Sequence, residues 1–309
     1  MGLAVVFENV WKIFPGGAAA LQGASFSIPE GALAGIVGPN GSGKTTSLRL
    51  AMGFATPTRG RVEVLGVVPW NSGEVRARIG YLPERPVYPL NVSVEKLLVH
   101  GARLLGLPDP YGEARRWARV VGLTGYLSAR IGSLSRGYLQ RLGLAYALLG
   151  EPELMLLDEP TTNLDPAARL EILDLIRSIG SDLSTTIVVS THILPEMQRV
   201  ANYLVVLVQG RVAVHGPLPE LVKRYRAEGV YEISTAPRAA RRAAARLIAE
   251  DVVRGVEVVG DSRLLVKARP GPEVEELLSR LKAEGLVESY TLRTGSIEQL
   301  YVSITGGGA

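Results

Sequence analysis

The stretch Gly38-Pro39-Asn40-Gly41-Ser42-Gly43-Lys44-Thr45-Thr46 satisfies the pattern G-x-x-x-x-G-K-[ST] at every fixed position. A triphosphate crowds negative charge into a small volume, so a site for it needs many donors and no side chains in the way. Glycines at 38, 41 and 43 let the loop bend and expose its amides, and a helix opening at Lys44 points its positive end at the anion. Lys44 then offers a point charge to the terminal phosphates, and Thr45 offers a hydroxyl to magnesium. The chemistry implied is binding of a nucleoside triphosphate.

Two acids stand at the end of the run LMLLDEP, residues 154–160. A buried strand there delivers Asp158 to the sheet edge that carries the phosphate loop, where a carboxylate holds magnesium directly or through water. Glu159 follows it, with a side chain able to face the terminal phosphate and to orient and deprotonate a water. Such a pair implies hydrolysis beyond binding; the plainer alternative is an acid pair capping the next turn. Ser135-Arg136-Gly137 resembles a second anion site, a hydroxyl and a glycine ahead of a helix over about 138–149. One nucleotide already has its cradle at 38–46, so a second site needs a reason.

The elements that must position these residues are α/β in pattern. Short β-branched runs at 32–38, 61–66, 79–82, 154–158, 186–191 and 203–210 alternate with helical stretches, which predicts a mostly parallel sheet with strands buried on both faces. Over about 86–150 the strand signal gives way to three- and four-residue spacing, as in Val94, Leu97, Leu98 and Leu139, Leu142, Ala145, Leu148, which predicts a helical insert. Breaks at Gly216-Pro217 and near Gly229 separate a first domain, 1–228, from a second, 229–309, whose runs read β-α-β-β-α-β, the order of a ferredoxin-like split βαβ unit. Arg238, Arg241, Arg242 and Arg246 fall on one helical face there, to be read as a solvated face or as a contact to lipid headgroups or a partner.

Composition narrows the function classes. With 309 residues, 47% hydrophobic and 21% charged, the chain folds and has room for two domains. It has no cysteine, which removes disulfides, thiolate metal sites and thiol nucleophiles. Only six of its 34 basic residues are lysine, a bias that fits a hot habitat or a GC-rich genome. The apolar runs are strand-length, and the N-terminal stretch carries Glu8 and no basic flank, so neither a membrane span nor a secretory signal is expected and the location implied is cytoplasmic. A net charge of +4, with eleven basic and eleven acidic residues from 230 onward, argues against a nucleic-acid partner.

These motifs together resemble the nucleotide-binding subunits of ABC transporters, P-loop NTPases, over residues 1 to about 225. The resemblance implies ATP and Mg2+ as cofactors, and an antiparallel β part at the N-terminal end of the fold. It also gives the second anion site a reason: in this family two subunits meet head to tail, and the "LSGGQ" turn of one closes on the ATP in the other's phosphate loop. Here that turn reads LSRGY, Leu134–Tyr138, keeping Ser135 and Gly137 and replacing the first glycine by Arg136 and the glutamine by Tyr138. Asp165, in TNLDP, matches the position that signals across the dimer, and it also reads as a helix N-cap. His192 matches the switch histidine at the terminal phosphate, and Phe14 the aromatic that stacks on adenine, with Trp11 as the alternative or a core role for either. Glu84 stands where the family usually has a glutamine that senses the phosphate and contacts the membrane subunit, and it is expected at the metal with Thr45 and Asp158. IGYLPE, the SRG turn and the C-terminal GSIEQLYVSITG resemble the subclass that exports drugs, natural products, lipids or polysaccharides. The expected partners are a second copy or a homologous ATPase subunit, and an integral membrane permease at the inner face of the cell membrane. The rival is a soluble ABC-type ATPase acting on DNA or the ribosome, which needs tandem cassettes or a coiled-coil insert and a basic face; the sequence carries none of them.

Overall fold

A computed structural model describes residues 2–226 and 229–293. Along the first part run β1 (Leu3–Ile13), β2 (Ala19–Pro29), β3 (Leu33–Val37), α1 (Lys44–Ala51), β4 (Arg59–Val64), α2 (Gly73–Ala77), β5 (Ile79–Leu82), α3 (Val94–Leu104), α4 (Pro110–Val120) and α5 (Arg136–Ala147). Then come β6 (Leu154–Asp158), α6 (Pro166–Leu183), β7 (Thr186–Thr191), α7 (Leu194–Val200), β8 (Tyr203–Val208) and β9 (Arg211–Pro217).

The central sheet has the order β5-β6-β7-β3-β8-β9, parallel throughout except for the edge strand β9, which runs antiparallel to β8. Every residue of β3, β6 and β7 is buried, as continuous apolar runs require. A second sheet, β2-β1-β4, is antiparallel. Its strand β4 corrects the assignment of the run 61–66 to the parallel sheet: Val62 and Val64 are buried while Glu63 between them is half-buried, the two-residue alternation of an antiparallel strand with one wet face. Both sheets and α1 share one apolar cluster, in which Phe7 stacks on Phe26 at 4.5 Å between ring centroids and Leu48 and Leu50 meet Leu156, Val188 and Val205.

Between β5 and β6 the chain is helical, in α3, α4, α5 and two short 3-10 turns. Val94, Leu98, Leu142, Ala145 and Leu148 are fully buried there, together with Trp117, whose indole N–H donates to Glu113 Oε2 at 2.7 Å. Among the described residues, no helix is long and apolar enough to cross a membrane.

The division between compact units falls between Leu218 and Pro219, ahead of residue 228, because α8 (Leu218–Arg226) groups with the second unit. That unit continues with β10 (Gly229–Ser234), α9 (Ala240–Ile248), β11 (Val253–Val259), β12 (Arg263–Ala268), α10 (Pro272–Ala283) and β13 (Ser289–Arg293). Its sheet has the order β11-β12-β10-β13 with every pair antiparallel, the interleaved pair of split βαβ units of a ferredoxin-like fold. Tyr231 and Ile233 of β10 and Leu264, Val266 and Ala268 of β12 share a core with Ala243 and Leu247 of α9 and Val274 and Leu278 of α10. Arg238 does not join the arginine row of α9: it precedes the helix with φ +69°, so the helical face holds Arg241, Arg242 and Arg246 alone. The C-terminal stretch GSIEQLYVSITG lies outside the described residues.

Candidate active site

Three adjacent parallel strands end at one edge of the central sheet, and each hands over part of the site. β3 leads into the phosphate loop, β6 ends on Asp158, and β7 ends on Thr191 just before His192. The register pairs Val37 with Thr191 and Asp158 with Ser190, so loop, acids and histidine converge without long connections. This is the carboxyl edge of an open α/β sheet, where such folds bind ligands.

The loop is shaped for an anion. Gly43 ends it at φ +103° and caps α1 with no side chain across the helix end, leaving the first amides of the helix exposed to the loop's interior. A Cβ on Gly43 would come within 2.6 Å of the Ala20 carbonyl, and one on Gly38 within 2.2 Å of the Leu207 carbonyl. Ser42 Oγ is buried and has no hydrogen-bond partner, an orphan that a phosphate oxygen would satisfy. Lys44 is only 6% exposed; its ammonium donates to the carbonyls of Gly38 at 2.8 Å and Pro39 at 3.2 Å and lies 3.4 Å from Glu159 Oε1.

The acids sit against that charge. Asp158 Oδ1 accepts from Thr45 Oγ1 at 3.1 Å and from Ser190 Oγ at 2.5 Å. Burial pushes its carboxyl above the usual carboxylate range, the two hydroxyls pull it partly back, and Glu159 and Glu84 add to the rise. Glu159 has φ +49°, a conformation costly for a side-chain-bearing residue, held because its N–H donates to both the carbonyl and the hydroxyl of Ser190. That turn aims Oε1 at Lys44 and Oε2 at His192 Nδ1, 3.0 Å away, and at Thr162 Oγ1, 3.1 Å away.

A cavity of about 380 Å3 is lined by Asn40, Gly41, Gly43, Lys44, Thr45, Thr46, Glu84, Glu159 and His192, with Ala20 and Thr162. Glu84 is half-exposed and pairs with Arg85 Nε at 3.5 Å. Gly38, Pro39, Ser42 and Asp158 are outside the lining but belong to the loop and acid pair just described; four other predicted residues also lie outside it. Phe14 lies in the turn after β1, its ring 5.2 Å from Lys12 Nζ. Ser135 caps α5, its Oγ accepting weakly from Tyr138 N at 3.5 Å, and Gly137 follows it in the first turn. Asp165 caps α6, accepting from the amides of Ala167 and Ala168 at 3.0 and 2.9 Å.

The ABC transporter family model matches residues 21–162. The bacitracin transport ATP-binding protein BcrA of Bacillus licheniformis is 30% identical, over 92% of this chain and 92% of its own length. The chain belongs to the ABC transporter ATP-binding family. A Nod factor export ATP-binding protein I of Paraburkholderia xenovorans is 32% identical over 98% of this chain and 97% of its own. A solved ATP-binding subunit of an ABC transporter superposes with TM-score 0.63 at 27% identity, over 72% of this chain and 93% of that one. The chain is thus an ABC-type ATPase and a transporter's ATP-binding subunit, with homologues in export systems.

Two residues of the candidate site in this ABC subunit escaped sequence reasoning. Ser190 holds both Asp158 and the Glu159 amide, and Thr162 reaches the Glu159 carboxylate. Ser190 is the second-to-last residue of a buried strand whose neighbour ends in an acid, and a hydroxyl in such a run was the available signal.

Proposed function

We propose that this subunit hydrolyses Mg-ATP at composite sites in a head-to-tail dimer, and so drives a separate membrane permease in export. The observation that carries the reading is the constellation Lys44–Glu159–His192, with Lys44 Nζ 3.4 Å from one oxygen of the Glu159 carboxylate and His192 Nδ1 3.0 Å from the other, together with a Ser135 turn that does not line the same cavity. A helix end with a hydroxyl and a glycine but no ligand of its own chain fits the other half of a clamp.

The loop amides between Gly38 and Thr46, with Ser42 Oγ and Lys44, bind the phosphates; Lys44 shifts its donors from carbonyl oxygens to phosphate oxygens. Thr45 and Asp158, already joined by a hydrogen bond, would hold Mg2+, with Glu84 at the same cavity wall. That ion would offset phosphate charge and fix the phosphates' orientation. Glu159 accepts a proton from a water as the water oxygen bonds to the terminal phosphorus and the bond to the bridging oxygen breaks, leaving ADP and phosphate. His192 and Thr162 keep the Glu159 carboxylate turned toward the water. Ser135 and Gly137 of the second copy close the site, and Asp165, next to that contact in sequence order of motifs, reports closure across the dimer. Because each ATP would touch both copies, nucleotide favours the closed pair and its hydrolysis releases them.

Replacing Glu159 by Gln tests this. Turnover falls about a hundredfold or more, as for loss of a general base. Mg-ATP affinity persists, and a nucleotide-dependent dimer accumulates in size-exclusion chromatography with light scattering. Near-normal hydrolysis by the variant removes Glu159 from its role; a monomer at saturating Mg-ATP removes the composite site.

A further inference from the structure

Behind the acid pair lies a carboxylate that none of this chemistry uses. Glu196, on α7, is 6% exposed and contacts the turn after β6, the end of β7 and α6. Its Oε2 accepts from Thr161 Oγ1 at 2.8 Å and from Thr191 Oγ1 at 3.3 Å, and its Oε1 lies 3.3 Å from Arg169 Nε on α6. Burying a carboxylate is costly unless it is satisfied, so its place here calls for a function that an apolar residue could not fill.

The three partners identify that function. Thr161 is two residues past Glu159, and its neighbour Thr162 donates to the Glu159 carboxylate. Thr191 immediately precedes His192 and also accepts from the amide of Ile193, so its hydroxyl sets the course of the chain on either side of the histidine. Arg169 is in the first turn of the helix that Asp165 caps, its N–H bonded to the Asp165 carbonyl at 2.9 Å. One carboxylate therefore joins the segment after the general base, the segment that carries the histidine, and the helix that begins at Asp165.

We infer that Glu196 is a positioning residue for hydrolysis, clamping the Thr161 and Thr191 hydroxyls so that Glu159 and His192 keep their 3.0 Å contact, with Arg169 tying that clamp to the Asp165 helix. The Arg169–Glu196 contact is the soft member: both Nε and Oε1 are buried and neither makes a hydrogen bond in spite of their proximity. A displacement of α6 at Asp165 would reach the general base through this ion pair, 3.3 Å between Nε and Oε1, and then through the two threonine bonds. A misplacement of about 1 Å in such a constellation costs on the order of a hundredfold in rate. The inference rests on the hydrolytic reading of Glu159.

The test measures Mg-ATP turnover against ATP concentration, affinity for a fluorescent ATP analogue, and thermal unfolding, on the full chain and four variants. Thr161→Val exchanges one hydroxyl for a methyl at nearly constant volume, Thr161→Ser keeps the hydroxyl, and Glu196→Gln keeps an acceptor but drops the charge. Thr161→Val is expected to lower kcat about tenfold with KM and affinity within about twofold, and Thr161→Ser to stay within about twofold of wild type. The double variant Thr161→Val/Glu196→Gln is expected to be no more than about twofold slower than its slower parent, because both changes act on the Thr161–Glu196 bond, one removing its donor and the other weakening its acceptor. Wild-type kcat in Thr161→Val, an equal loss in Thr161→Ser, or fully additive losses in the double variant each overturn the inference. Should Glu196→Gln not fold, the Thr161 pair still decides it. A wild-type chain that binds but does not turn over ATP fails the hydrolytic reading itself, and the inference with it; a turning-over wild type with an unaffected Thr161→Val fails the inference alone.

Discussion

Two helix N-termini in the first unit are built from similar parts and finished differently. At α1, Gly43 caps the helix without a side chain, Ser42 and Lys44 are buried, and Lys44 lies 3.4 Å from the Glu159 carboxylate in the wall of a cavity. At α5, Ser135 turns its hydroxyl back to cap its own helix at 3.5 Å, and both Ser135 and Arg136 are exposed. The first end is walled by its own chain, in the cavity that Lys44, Thr45, Glu159 and His192 line. The second has an anion site's ingredients and no walls. Arg136 spends its guanidinium on the Asn163 carbonyl at 3.4 Å, beside the Asp165 loop, so this end is linked in its own chain to the segment proposed to report closure. In the proposed mechanism one end governs whether nucleotide binds and the other governs what binding is used for.

The sharpest way to break that contrast is to remove the charge at the first end. Lys44→Ala is expected to weaken Mg-ATP affinity by about a hundredfold, since a buried charge-assisted contact to phosphate is lost and Glu159 loses the ammonium that screens it from the anion. Equilibrium binding of a fluorescent ATP analogue checks it. Ser135→Ala, by contrast, leaves monomer affinity within about twofold while turnover falls about tenfold. Equal losses of affinity in the two variants would mean that the two helix ends serve one site in one chain, and the contrast would be void.

The first end was also the more legible of the two in the sequence. Its work is done by backbone amides and small residues, which demand glycines at fixed places, and 38, 41 and 43 are such places. The acid pair was legible because a buried apolar strand has few reasons to end in Asp158-Glu159. Ser190 and Glu196 were not: Ser190 is apparent only from the pairing of β7 with β6, and Glu196 reads as an ordinary polar helix residue until α6 and α7 are packed together. Misassignment of the 61–66 run has the same origin, since Val62-Glu63-Val64 is too short for its period to outweigh the surrounding α/β pattern. In the second unit the β-α-β-β-α-β order was readable because each helix and strand is short and cleanly punctuated, whereas the division at Leu218 depends on which side α8 packs.

The contrast extends to stability. An end that holds Asp158 buried before any cation is bound carries a cost that the exposed Ser135 end does not. Asp158→Asn keeps an Oδ1 acceptor for Thr45 and Ser190 and removes the buried charge. In EDTA and without nucleotide, the variant is expected to melt about 2 °C above wild type at neutral pH, while Ser135→Ala stays within about 1 °C. The sign of the pH dependence follows from the raised carboxyl: folding binds the proton more tightly, so the group's contribution is fully present below the ordinary carboxylate range and is lost as pH rises through the higher folded value. The margin of Asp158→Asn over wild type therefore widens as pH is raised from about 4 toward neutrality, which differential scanning fluorimetry at a series of pH values reads directly. A margin that is flat with pH would show that Thr45 and Ser190 already offset the burial of Asp158, and the α1 end would be no more costly to build than the α5 end.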